Sequence, residues 1–200
     1  MKSELVLTNF RGYQESPTPD DDTFRHLATT YSFAHRKMAN AEACYVGDSR
    51  FLNGTTNGAQ WYYLAGGMQD FNYVWNGCME LTLEISCCKY PPAHQLPEFW
   101  LDNREVSNRP SMFPRNGRTN SRLLCVQAMI KYLGEAHRGV AGVVKDIYGN
   151  PIPDAYVRVA GRNFGAKTTS SGEFWRILMP GFYTLEVGIC RMGDGALGHQ

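Results

Sequence analysis

The sequence predicts an α/β domain over residues 1–137, followed by a small β-sandwich over residues 138–200. Three observations carry this. Phe24, Leu27, Ala28 and Tyr31 recur at helical spacing behind a run of carboxylates. Residues 78–86 alternate apolar and polar as a strand does, and from Gly139 onward short strand-like runs are separated by turn residues. With 200 residues, 43% hydrophobic and 12% aromatic, the chain can bury one good core and a smaller one. Its 20 basic and 19 acidic residues are spread without blocks, which leaves no electrostatic footprint for nucleic acid or an anionic membrane. No apolar run approaches the roughly 18 residues of a membrane span, and residues 1–14 lack the continuous apolar stretch of a signal peptide.

The first element follows Pro17 and Pro19, where Asp20, Asp21 and Asp22 supply carboxylates for the free N–H groups and the positive dipole end of a helix. That helix is expected to run to about Met38, with Arg25, Arg36 and Lys37 on its wet side. Residues 53–77 are rich in Gly, Asn and aromatics, with turn signals at Asn57-Gly58 and Gly66-Gly67, and read as an ordered loop region. The strand over 78–86 puts Leu81, Leu83 and Ile85 on one side and Glu80, Thr82 and Glu84 on the other. Two carboxylates on one face of a core strand call for a reason. Phe99 and Trp100, then Leu123 to Leu133, suggest helical material ending between Gly134 and Gly139, with an aperiodic loop over 105–121 between them. The sandwich is assembled from strands near 140–145, 155–160, 173–178 and 182–187, with Val140, Val143, Val157, Val159, Phe174 and Leu185 among its core residues.

The six cysteines form no CxxC pair, and Ser86, Cys87 and Cys88 form no nucleophile elbow. No Glu follows any of His26, His35, His94, His137 or His199 at the third position, and His26 and His35 are too far apart on their helix to share a metal. Asn53-Gly54-Thr55 fits the N-glycosylation pattern, which matters only in a secreted chain.

Four stretches in order resemble the regulatory N/E branch of the zinc metallocarboxypeptidases, the branch of carboxypeptidases M, N, E and D: residues 18–35, 53–73 (NGTTNGAQWYYLAGGMQDFNY), 78–92 (CMELTLEISCCKYPP) and 136–187. Among these, M and N look most alike. The resemblance implies the C-terminal portion of a mixed-sheet carboxypeptidase catalytic domain over 1–137 and a transthyretin-like domain over 138–200 that leaves the family pattern after Val187, so the chain reads as a fragment. It implies a Zn2+ enzyme that removes C-terminal Arg or Lys from peptides and proteins, outside the cell or at its surface.

By that resemblance Glu84 is the general base and acid, Tyr73 the mobile tyrosine that closes over substrate, and Gln69 a residue near the pocket for the substrate's last side chain. The resemblance also pairs Cys44 with Cys87 in a disulfide and leaves Cys88 without its partner. The family's H-x-x-E motif, its third zinc-binding His, and the groups that clamp the substrate's carboxylate and basic side chain have no counterpart here. The chain alone is therefore expected to be inactive. A non-catalytic binding or scaffold protein retaining the same folds is the alternative.

Overall fold

The computed structural model describes residues 2–5, 14–41, 43–46, 48, 50–104 and 127–189. The expected loop over 105–121, the segment Leu123 to Val126, Cys125, Cys190, His199 and the tail beyond Ile189 lie outside the described residues.

The first part is a mixed sheet with helices. Strand β1 (Lys2–Leu5) sits between β2 (Thr55–Asn57), parallel to it, and β3 (Thr82–Glu84), antiparallel to it. Helix α1 (Asp21–Ala34) buries the expected stripe of Phe24, Leu27, Ala28 and Tyr31. It stops short of Met38 because His35 turns extended and its ring Nδ1 accepts the backbone N–H groups of Lys37 and Met38, both at 3.1 Å, which would otherwise continue the helix. Its start also differs from expectation. Asp20 occupies the N-cap position but makes no side-chain cap, and Asp22 receives the Thr23 N–H instead.

The stretch read as a loop holds the short helix α2 (Gly58–Trp61) and the nine-residue α3 (Met68–Asn76). Only Tyr73 of α3 is fully buried, while Met68, Phe71 and Trp75, which recur at helical spacing, stay exposed along one side. Strand β3 is shorter than the expected run, and Ile85 is exposed beyond its end. Leu81 packs against the Phe24–Ala28–Tyr73 cluster and Leu83 against Tyr31, Ala34, Met38 and Ala128. Helices α4 (Leu96–Arg104) and α5 (Gln127–Gly134) complete this part.

Cys44 and Cys87 are joined by a disulfide with Cα atoms 5.2 Å apart across 43 residues, while Cys78 and Cys88 are free and exposed. A cross-link closing a loop of that length removes about 4 kcal/mol of unfolded-state entropy in the chain-entropy model. Urea unfolding of oxidised and reduced protein should therefore differ by a comparable amount; superimposable curves would contradict it.

After Gly139, β4 (Val140–Val143) pairs with β7 (Glu173–Arg176), and β5 (Ala155–Val159) is flanked by β6 (Gly165–Lys167) and β8 (Leu185–Ile189), all antiparallel. Val157, Val159 and Phe174 are buried and Val140 and Leu185 half-buried, but Val143 is 49% exposed. Val140 and Val143 are three apart, and a strand's side chains alternate, so both cannot face one core. Gly142 faces inward instead, where an added Cβ would meet the Phe174 ring at 3.0 Å. The two parts touch directly. Phe164 packs edge-on against Tyr73, and Gly77, at φ +68°, lies so close to the Gly165 carbonyl that a Cβ would fall 2.3 Å from its oxygen.

Candidate functional site

Two neighbouring faces of α3 and β3 define the candidate site. With Leu81 and Leu83 half-buried against the core clusters behind, alternation sends Thr82 and Glu84 to the opposite face of the strand. There the side-chain amides of α3 meet it: Gln69 Nε2 donates to Thr82 Oγ1, and Asn72 Nδ2 donates to Glu80 Oε1 at 2.7 Å. Gln69 and Asn72, one helical turn apart, share a helix side. The structure thus brings Gln69 to the strand face that carries Glu84, which is half-buried.

Tyr73 is placed elsewhere. It is 1% exposed, its ring meets Phe24 and Phe164 edge-on, and its hydroxyl donates to Asp20 Oδ2 at 2.6 Å. Burial, then the Asp20 carboxylate, push its pKa well above the ordinary phenol range. The resemblance names Tyr73 as a mobile tyrosine that closes over substrate; in this structure its phenol is packed in the core and bonded to Asp20. Tyr63, 48% exposed, is a tyrosine of the same stretch that meets solvent.

Asp20 is the centre that sequence reasoning missed. Fully buried, it accepts from Tyr73 and Thr18 contacts its backbone, while Arg162 Nη1 reaches Oδ1 and Arg176 Nη2 reaches Oδ2. Arg162 also grips Asp22 Oδ2 at 3.0 Å. Burial alone would lower the Arg162 pKa, but Asp20 and Asp22 together raise it above its usual value. Three carboxylates in a row read as a helix start; Asp21 does pair one turn on, with Arg25, but the arginine partners of Asp20 and Asp22 lie far along the chain.

The histidines among the described residues do not assemble a metal site. His26 Nε2 pairs with Glu135 Oε2 at 2.7 Å, which Arg138 also holds. His94 and His137 are exposed. Among the described residues no three His, Cys, Asp or Glu side chains converge, so they do not fit a tetrahedral zinc site of two His, one Glu and water.

His35 is buried, and since its Nδ1 accepts two N–H groups, Nε2 carries the proton. Burial is the main cause that lowers its pKa to about 4, against the opposing pull of Asp102. A histidine harder to protonate when folded costs nothing above its ordinary value; as pH falls from there towards 4, the unfolded chain takes the proton first and stability drops, by up to about 3 kcal/mol. Urea midpoints at neutral and acid pH should show this drop, and His35→Asn, which keeps an acceptor for both N–H groups, should flatten it. An unchanged pH profile in that variant would count against the assignment.

A cleft of ≈ 780 Å³ lies between α1 and the 50–61 segment, lined by Arg25, Arg50, Phe51, Asn57 and Trp61 among others. Glu84, Gln69 and Tyr73 are not in its lining.

The zinc carboxypeptidase family model matches residues 2–106. This chain belongs to the zinc carboxypeptidase family. Carboxypeptidase D of Drosophila melanogaster is 42% identical over 173 residues, covering 86% of this chain and 10% of that protein. Carboxypeptidase M of Mus musculus is 39% identical over 176 residues, 87% of this chain and 34% of that protein. The human carboxypeptidase N catalytic chain is 40% identical over 182 residues, 91% and 34%. Carboxypeptidase D thus stands beside M and N, and no preference for the latter two emerges. The chain spans about a tenth to a third of the length of these relatives. Among the described residues no helix of this carboxypeptidase segment is long and apolar enough to cross a membrane.

Proposed function

We propose that this chain is the part of a zinc carboxypeptidase that carries its general base, in an enzyme that releases C-terminal Arg or Lys from peptides and proteins outside the cell or at its surface. The observation that supports this best is the Gln69–Thr82 hydrogen bond, which ties the helix bearing Gln69 to the strand face bearing Glu84. In this reading Glu84 takes a proton from the attacking water and returns it to the leaving amine. Gln69 lies beside the side chain of the residue being released. In the family zinc supplies the Lewis acid; the residues described here do not hold it, so no step through the metal is derived from them. Residues 138–200 would be the transthyretin-like companion domain, with the boundary at His137, and their role is to support the catalytic part through the contacts at Phe164, Arg162 and Arg176.

A second reading, a non-catalytic binding or scaffold protein with the same folds, is favoured by one observation, the missing convergence of metal donors among the described residues. Incubating the natural product that contains this chain with two peptides, alike except for a terminal Arg or Phe, separates the readings. Selective loss of Arg is expected, and retention of both termini would favour the binding protein.

A further inference from the structure

We infer that Asn53 carries an N-linked oligosaccharide that stands at the mouth of the cleft between α1 and the 50–61 segment. Asn53-Gly54-Thr55 is the single Asn-Xaa-Ser/Thr triplet in the sequence with a residue other than Pro in the middle. The structure presents it as an acceptor. Asn53 is exposed in a tight 310 turn, in the left-handed conformation at φ 59°, while the backbone around it is fixed: Ser32 Oγ donates to the Asn53 carbonyl at 2.6 Å, and the Gly54 N–H donates to Phe51 at 2.8 Å. Gly54 is buried, and any Cβ there would fall 2.1 Å from the Met38 carbonyl oxygen. The turn is thus held from below while the Asn53 residue meets solvent.

The second, independent observation is the Cys44–Cys87 disulfide. Such a cross-link forms and persists in an oxidising compartment, the one where N-glycosylation takes place. The donor is a lipid pyrophosphate-linked oligosaccharide. The bond between the sugar C1 and its phosphate oxygen breaks, the lipid pyrophosphate leaves with the electron pair, Asn53 Nδ2 bonds to C1, and one amide proton passes to solvent. Asn53 and Thr55 line the cleft together with Phe51 and Trp61, and Leu52 beside them is 82% exposed. A bulky polar glycan at this rim covers that apolar surface and the backbone after Arg50.

The test is secretion of the full chain from animal cells through an appended leader. Intact mass and gel mobility should show one glycan, removed by an N-glycosidase with conversion of Asn53 to Asp on peptide mapping. Thr55→Ala should abolish the modification and Thr55→Ser retain it; among the described residues the Thr55 side chain makes one long 3.4 Å bond, to Leu52, so neither change threatens the fold. Native deglycosylation should speed tryptic cleavage after Arg50. A secreted, disulfide-bonded chain with the mass of its bare sequence would overturn the assignment, and equal cleavage rates with and without the glycan would overturn its place over the cleft.

Discussion

Replacing Asp20 by Asn should lower the stability of the chain by about 3–5 kcal/mol, because it leaves the buried Arg176 guanidinium without its counter-charge and the largely buried Arg162 with Asp22 alone. Asp20 and the Arg176 side chain are essentially inaccessible, and the Arg162 side chain is only 16% exposed, so water cannot take over the lost interaction. The cost is asymmetric. A buried ion cluster contributes little net stability over a well-packed apolar one, but removing a single member leaves the desolvation of the others unopposed. Asp20 also holds the phenol of Tyr73, and through it α1, α3 and the strands after Gly139 meet at one carboxylate. Asp20→Asn should therefore loosen the two parts from each other as well as weaken the whole, seen as a broadened or split urea transition. Adding Arg176→Met to Asp20→Asn should recover part of the loss. A single sharp transition with a loss under about 1 kcal/mol, the size of an exposed pair, would show that the cluster is solvated in solution.

How much of this was legible in the sequence depends on where the partners of each residue lie. The stripe of α1 was readable because one face of one helix packs on one core, and the spacing of Phe24, Leu27, Ala28 and Tyr31 records it. Helix α3 was not, since it buries little beyond Tyr73 and leaves Phe71 and Trp75 in solvent. Strand β6 is three residues of Gly, Ala and Lys, with no strand signature of its own. The Asp20 cluster joins residues up to 156 positions apart, and local pattern carries nothing over that distance. Gln69 and Glu84 were named by resemblance; alternation alone showed only that Glu80, Thr82 and Glu84 share a side. The Cys44–Cys87 pairing likewise came from resemblance, since six cysteines leave many pairings open. The same resemblance gave Tyr73 a role over the substrate, while its place in the core and its bond to Asp20 carry no local sequence signal.

The central proposal is that Glu84 belongs to a catalytic strand whose metal ligands and substrate clamps are not supplied by the described residues. A base on its own does little: without a Lewis acid the water it would deprotonate stays a poor nucleophile, and without clamps the peptide end is not held near attack geometry. Proton transfer by a positioned carboxylate contributes about a hundred- to ten-thousand-fold to a hydrolysis rate, so Glu84→Gln in a complete enzyme should cost a factor in that range. The measurement that tests this most directly is arginine release from a short peptide ending in Arg, with zinc content determined on the same samples. The account predicts no bound zinc and no arginine from the 200-residue chain. It predicts turnover from a product extended upstream through H-x-x-E, and loss of that turnover in its Glu84→Gln variant. Stoichiometric zinc and turnover in the 200-residue chain, or an extended product indifferent to Glu84→Gln, would contradict it.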